Sequence, residues 1–248
     1  MTPSVSNATA GLPGDRPTLV LLPGLDGTGD LFEPLLSRLD PSLATVVVRY
    51  PIGEPLGYEA LTSIARRALP TTGEYVLLGE SFSGPIAAQL AAERSGALLG
   101  LILCASFVSS PMPHLRPFEW LLEVGPVGSF ARWLAPTKLL GRFETRELKT
   151  LLLRTLARVP RRVLIARIRA VLAVNSTTEL SRAGVPTMYL QGTEDTLLPP
   201  SCVDEVCRLA PKTRVVSVPA PHCVLQCAPD AAARAIGEFV RSVGETRV

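Results

Sequence analysis

The sequence predicts an α/β protein with a mainly parallel sheet of about six strands flanked by helices. Three observations lead there. Short apolar, β-branched runs recur along the 248-residue chain. Segments with helical spacing separate them, and the runs are apolar on both faces, as strands covered by helices on each side must be.

The first run, Thr18 to Pro23 (TLVLLP), ends in a glycine-rich stretch that leads into a helical segment from Asp30 to Leu39. Thr45 to Tyr50 (TVVVRY) is the second strand, and Tyr58 to Ala68 the helix after it. The third strand, Tyr75 to Gly79 (YVLLG), runs through a turn of small residues into a helix from Pro85 to Arg94. Leu101 to Ala105 (LILCA) is the fourth, followed by an interval to about Arg182 without a convincing strand. Two amphipathic stretches there, ELKTLLLRTLAR and RRVLIARIRAVLAV, predict a helical lid insertion over the carboxyl ends of the strands, at about 107–182. Alternation resumes with strand Val185 to Gly192, helix Ser201 to Leu209, strand Thr213 to Val218 and helix Asp230 to Val240.

A composition of 47% hydrophobic and 19% charged residues places the chain among ordinary globular proteins and sets aside disordered and fibrous classes. No apolar run reaches the roughly 18 residues that span a bilayer. Residues 1–16 lack a basic start and an apolar stretch, so a flexible tail is expected ahead of a single domain at 17–248, with a cytoplasmic address as the default. The five cysteines are expected as reduced thiols. Cys202, Cys207, Cys223 and Cys227 beside His222 invite a metal reading, but their spacings are wider than the tight pairs of a zinc ribbon; neither metal nor cofactor is expected.

Net charge is +3, unevenly spread. Residues 132–169 hold eleven Lys or Arg against Glu144 and Glu147, a local excess of +9 that leaves −6 for the remainder. Such a lid offers a face for an acidic carrier protein or the anionic tail of coenzyme A; the plainer reading is solvated faces of amphipathic helices. The basic residues alternate with leucines at helical spacing and no nucleic-acid module is present, so nucleic acid is not an expected partner.

The chemistry centres on LLGESFSGP, residues 77–85. A strand, a turn of small residues and a helix are the setting of a strained turn that exposes a nucleophilic serine, here Ser81. A strict G-x-S-x-G would place glycine at 83, whereas the chain has Ser83 followed by Gly84. Of two histidines, His222 follows the last strand and suits a general base, while His114 opens the lid and suits substrate contact or exposure. The orienting acid is expected on the loop of MYLQGTEDTLLPP, where Asp195 and Glu194 are adjacent and spacing alone does not choose between them. LLPGLDGTGDLF offers backbone donors for a developing oxyanion, with Leu25 N–H one donor and Phe82 N–H the second. The same loop lacks the spacing of a dinucleotide-binding G-x-G-x-x-G. Whether Glu80 tunes the site or faces away stays open.

Four segments in this order, LVLLPGLDGTG, LLGESFSGPIAAQLA, YLQGTEDTLLPP and PAPHCVLQCAPDAAARAI, resemble the α/β-hydrolase superfamily from about Arg16 to Val240. The resemblance departs from the commonest pattern at Pro23–Gly24, where His-Gly is usual. LPGLDGTG is similar to the loop of some bacterial hydrolases and of a plastid group of esterase and acyltransferase proteins. It implies an α/β-hydrolase fold and prefers Asp195 over Glu194 as the acid. It also implies catalysis by attack of Ser81 on an acyl carbonyl, with a covalent acyl-enzyme released by water. The family fold reaches eight strands; six are found here.

The expected activity is that of a serine hydrolase of carboxylic esters on a small-molecule acyl ester. Phe107, Leu115, Phe118 and Trp120 are the candidate substrate-binding residues, joined by Phe130 and Trp133 on the lid. A thioesterase or acyltransferase acting on coenzyme A or carrier-bound acyl groups is the alternative within enzymes. A non-catalytic ligand-binding protein on the same scaffold is the alternative of another class.

Overall fold

The structure is a computed structural model and describes residues 17–93, 95–124 and 136–245. Six parallel strands form one sheet: β1 (Thr18–Leu22), β2 (Thr45–Val47), β3 (Tyr75–Glu80), β4 (Leu98–Cys104), β5 (Thr187–Gly192) and β6 (Arg214–Val218), in spatial order β2-β1-β3-β4-β5-β6. The chain leaves β1 for the edge strand β2, then returns past β1 to β3, and from there proceeds only outward. Strand order therefore reverses between β1 and β3, and a crevice opens beyond the carboxyl ends of that pair.

Burial follows position in the sheet. Every residue of β3 and β4 is buried, whereas β6, at an edge, buries only Val218 fully. Alternate residues of each strand supply the two faces of the core. Leu19, Leu21, Val76, Leu78 and Ile102 pack with Phe32, Ile236 and Phe239 on one side, and Val20, Leu22, Leu77, Leu101 and Leu103 pack with Leu61, Ile86, Leu90 and Val206 on the other.

The helices are α1 (Glu33–Leu36), α2 (Tyr58–Arg67), α3 (Gly84–Ala92), α4 (Leu121–Val124), α5 (Arg146–Ala157), α6 (Arg161–Ala173), α7 (Thr177–Ala183), α8 (Ser201–Leu209), α9 (Val224–Cys227) and α10 (Pro229–Glu245). Two boundaries differ from the sequence reading for identifiable reasons. The predicted helix over 30–39 is a 3₁₀ turn, Asp30–Phe32, followed by the single turn α1, because the Arg38 and Leu39 N–H groups both return to the Leu35 carbonyl and close the coil there. Strand β4 begins three residues before the predicted Leu101, at Leu98. Gly100 interrupts the apolar run because a side chain there would strike the Phe239 ring of α10, with Cβ 2.9 Å from Cε1.

Between β4 and β5 the described residues form helices and one isolated antiparallel bridge, Ser109 with Asn175. The Thr145 side chain caps α5 by accepting from Leu148 N–H at 3.2 Å, and Gly184 ends α7 in the left-handed region at φ 67°. No helix among the described residues is long and apolar enough to cross a membrane. The expected tail at 1–16, with Phe130 and Trp133, lies outside the described residues.

Candidate functional site

Ser81 sits at the carboxyl end of β3, at the head of a 3₁₀ turn that runs into α3. Its φ is +46°, a left-handed conformation that a serine adopts only at a cost of about 1–3 kcal/mol and only where the surroundings enforce it. Two glycines make the turn possible. A Cβ on Gly79 would meet the Ser83 carbonyl oxygen at 2.7 Å, and one on Gly84 would meet Ser106 Oγ at 2.0 Å. Gly84 is thus fixed by close packing against the loop after β4.

Ser83 is more than a small residue. Its buried hydroxyl donates to the Pro23 carbonyl at the end of β1 and pairs with the Tyr50 hydroxyl at 2.9 Å. Two further bonds brace the turn: Ser106 Oγ donates to the Ser81 carbonyl, and Tyr58 Oη donates to the Phe82 carbonyl at 3.0 Å.

Ser81 Oγ lies 2.9 Å from His222 Nε2, and His222 Nδ1 lies 2.8 Å from Asp195 Oδ2. The carboxylate fixes the imidazole proton on Nδ1, so Nε2 is the acceptor facing Ser81. Asp195 Oδ1 accepts from Leu197 N–H at 2.8 Å and Leu198 N–H at 3.1 Å. Burial pushes the Asp195 carboxyl up, but His222 and the two N–H donors outweigh burial and hold it below the usual range, hence ionised. Glu194 turns away and forms a two-pronged bond with Arg142, at 2.6 and 2.7 Å. Only one of the adjacent carboxylates therefore meets the histidine.

The loop after β1 faces Ser81 across the crevice, and Leu25 and Phe82 both line the cavity with it. Each turn of this loop is anchored. Gly27 N–H bonds to the Gly24 carbonyl at 3.0 Å, Asp26 Oδ2 accepts from Thr28 N–H at 2.8 Å, and Gly24 N–H donates to the Glu80 carboxyl. From α6, the Arg167 guanidinium donates to the carbonyls of Leu25 at 2.8 Å, Asp26 at 2.7 Å and Pro51 at 3.1 Å.

Glu80 does not face away from the site. It is buried, lines the cavity, and accepts from Gln226 Nε2 at 2.9 Å. Burial pushes its carboxyl up to about 7; Gln226 opposes the rise, nearby Asp26 adds to it, and His222 and Gly24 N–H oppose it.

The cavity holds about 450 Å³ and its walls are mainly apolar apart from Glu119 and the groups around Ser81. Phe107, Leu115 and Phe118 line it, as do Leu152 and Leu156 of α5 and Ile168, Val171 and Leu172 of α6. Trp120 corrects the sequence reading: it is 58% exposed and absent from the lining, because the chain turns into α4 beyond it and presents Leu121 and Leu122 instead. His114 is exposed and does not reach the cavity.

The basic segment is partly neutralised by pairing, while Lys138, Arg146 and Arg154 are exposed. Arg142 pairs with Glu194, Lys149 with Glu144, Arg158 with Asp30 and Arg169 with Glu123, while Arg161 and Arg162 donate to backbone carbonyls. Arg167 is buried completely. The sequence did carry a signal for it: at four residues from Val163 and three from Leu164, both buried, it occupies the apolar stripe of α6. Gln226, Tyr50 and Ser106 gave no comparable signal. Among the described residues no group of three His, Cys, Asp or Glu side chains has an arrangement suited to a metal ion.

A 33% identical segment of 122 residues is shared with phytyl ester synthase 1, chloroplastic, of Arabidopsis thaliana, covering 45% of this chain and 17% of that protein. Similar solved structures include an esterase from Thermogutta terrifontis, 22% identical with a TM-score of 0.78 over 93% of this chain and 92% of that one. Another is a bromoperoxidase from Bacillus anthracis, 14% identical with a TM-score of 0.79 over 92% of this chain and 93% of that one. At these identities the solved structures speak for the fold. The sequence profile of the alpha/beta hydrolase family matches residues 19–235, nearly the whole chain, and the protein belongs to that family.

Proposed function

We propose that the protein is a serine hydrolase of carboxylic esters that works through an acyl-enzyme on Ser81. The observation that carries this reading is the unbroken bond sequence Ser81 Oγ, His222 Nε2, His222 Nδ1, Asp195 Oδ2 at 2.9 and 2.8 Å, at the floor of an apolar cavity. His222 accepts the Ser81 proton as Oγ attacks the acyl carbonyl, and Asp195 stabilises the imidazolium. The negative charge on the carbonyl oxygen is met by the N–H groups of Leu25 and Phe82. His222 then gives its proton to the departing alcohol oxygen; a water loses a proton to His222 as it attacks the acyl-enzyme carbonyl, and as the bond from the acyl carbon to Ser81 Oγ breaks, His222 returns that proton to Oγ and the acid leaves. The acyl chain lies against Phe107, Leu115 and Phe118 beneath the helices between β4 and β5, which serve as a lid.

A second reading, transfer of the acyl group to an alcohol in place of water, is favoured by the segment shared with the phytyl ester synthase. The basic segment, with four of its cations in ion pairs, does not by itself favour a coenzyme A or carrier partner. The test is a panel of p-nitrophenyl esters of graded length, with and without added long-chain alcohol, on wild type and Ser81→Ala. Turnover lost in Ser81→Ala supports the acyl-enzyme, and ester product formed with alcohol present selects transfer. Binding of the esters with no turnover in wild type would overturn both.

A further inference from the structure

Arg167 is the one basic residue of α6 that the fold buries completely, and among the described residues no carboxylate oxygen bonds to it. Its Nε has no hydrogen-bond partner among the described residues. Burial acts against the charge, with Asp26 and Tyr50 favouring it, and a guanidinium stays protonated in such surroundings. A leucine would fill an apolar helix stripe without carrying a charge into the interior, so packing does not explain an arginine there.

The carbonyls it holds supply an explanation. Nη1 donates to the Asp26 carbonyl. That peptide unit also carries the Gly27 N–H, which donates to the Gly24 carbonyl at 3.0 Å. The Gly24 peptide unit in turn carries the Leu25 N–H. In a trans peptide the C=O and N–H point in opposite directions, so a cation at the head of the chain directs and polarises the N–H at its end. The same Nη1 takes the Leu25 carbonyl, which fixes the next peptide as well. Gly27, at φ +71°, packs closely against the guanidinium, where a Cβ would lie 2.5 Å from Nη1.

We propose that Arg167 is a positioning residue for the reaction of Ser81: through two peptide units it aims and polarises the Leu25 N–H toward the oxyanion. This rests on the reading of Ser81 as nucleophile. It makes the helical segment between β4 and β5 part of the reaction machinery as well as a wall of the cavity, since displacement of α6 would release the oxyanion loop.

The test compares wild type, Arg167→Met and Arg167→Lys in p-nitrophenyl ester turnover. It also measures affinity for an alkyl boronic acid, which forms an anionic tetrahedral adduct, and for a neutral amide analogue, which does not. Folding of each variant is checked by near-UV circular dichroism. In Arg167→Met, kcat falls about 100-fold while KM stays within about threefold. The boronic acid weakens in parallel with kcat and the amide does not. In Arg167→Lys, which keeps the charge without the planar fork, the loss is about tenfold. If Arg167→Met is not recovered folded, the lysine variant carries the same comparison. A kcat near that of wild type, or equal weakening of boronic acid and amide, overturns the proposal. Wild type that a fluorophosphonate does not label at Ser81 defeats the underlying reading, an outcome distinct from a wild type labelled at Ser81 with an unaffected Arg167 variant.

Discussion

Replacing Ser83 by glycine would bring the turn closer to the strict G-x-S-x-G pattern, yet the structure predicts that it destabilises the protein. The Ser83 hydroxyl donates to the Pro23 carbonyl and pairs with Tyr50 Oη, and all three groups lie in the interior. Removing it leaves a buried carbonyl and a buried phenol without their partner, at about 1–3 kcal/mol each. The glycine adds about 0.5–1 kcal/mol through the freedom of the unfolded chain. The loss centres on about 5 kcal/mol, which in a protein of this size lowers Tm by about 10–20 °C. Urea unfolding of Ser83→Gly and Ser83→Ala measures it. A double-mutant cycle with Tyr50→Phe isolates the hydroxyl pair, with an expected coupling of about 1–2 kcal/mol. A Ser83→Gly protein as stable as wild type, or a cycle without coupling, would refute the reasoning.

Two further predictions concern carboxylates. Glu80 has an ordinary value of 4.5 and is raised to about 7 in the folded chain, so between those values the folded state keeps a proton that the unfolded state has released. Stability from this group therefore falls as pH rises through that window and stays lost above it. Glu80→Gln should stabilise the protein by up to about 3 kcal/mol above neutral pH, with the gain vanishing below pH ~4.5, as read by chemical unfolding across pH. A gain independent of pH would contradict the assignment. At Asp195, Asn substitution lets the imidazole take the wrong tautomer and should lower kcat by about 10⁴-fold in steady-state ester assays. Glu194→Gln, on the outward side of the same loop, should leave kcat unchanged.

The strands along the chain and the loops that carry Ser81, Asp195 and His222 were legible because they rest on local signals, namely apolar runs, small-residue turns and their sequence order, whereas the spatial order of the sheet was not. Spacing did not choose between Glu194 and Asp195, although the family resemblance preferred Asp195, and what separates them in the structure is not local. It required Arg142, some fifty positions away, to hold the outer carboxylate. In the sequence Ser83 is only a departure from the glycine of the strict motif, and its bond to Pro23 joins the ends of two strands that are adjacent only after the sheet has formed. The basic count misled at Arg167 because composition records charge and not direction, although the apolar stripe around it held the correction. Glu80 stood in plain view beside Ser81, but its burial follows from packing by Gln226, which is 146 positions further along.

The central claim is that the Oγ of Ser81 forms a covalent bond with the acyl group. Incubation with an alkyl fluorophosphonate, followed by proteolysis and mass measurement, tests it most directly. The expected result is one adduct per chain, on the peptide containing Ser81, with ester turnover lost in proportion and no adduct in Ser81→Ala. An adduct that persists in Ser81→Ala, or turnover that survives complete labelling, would contradict it.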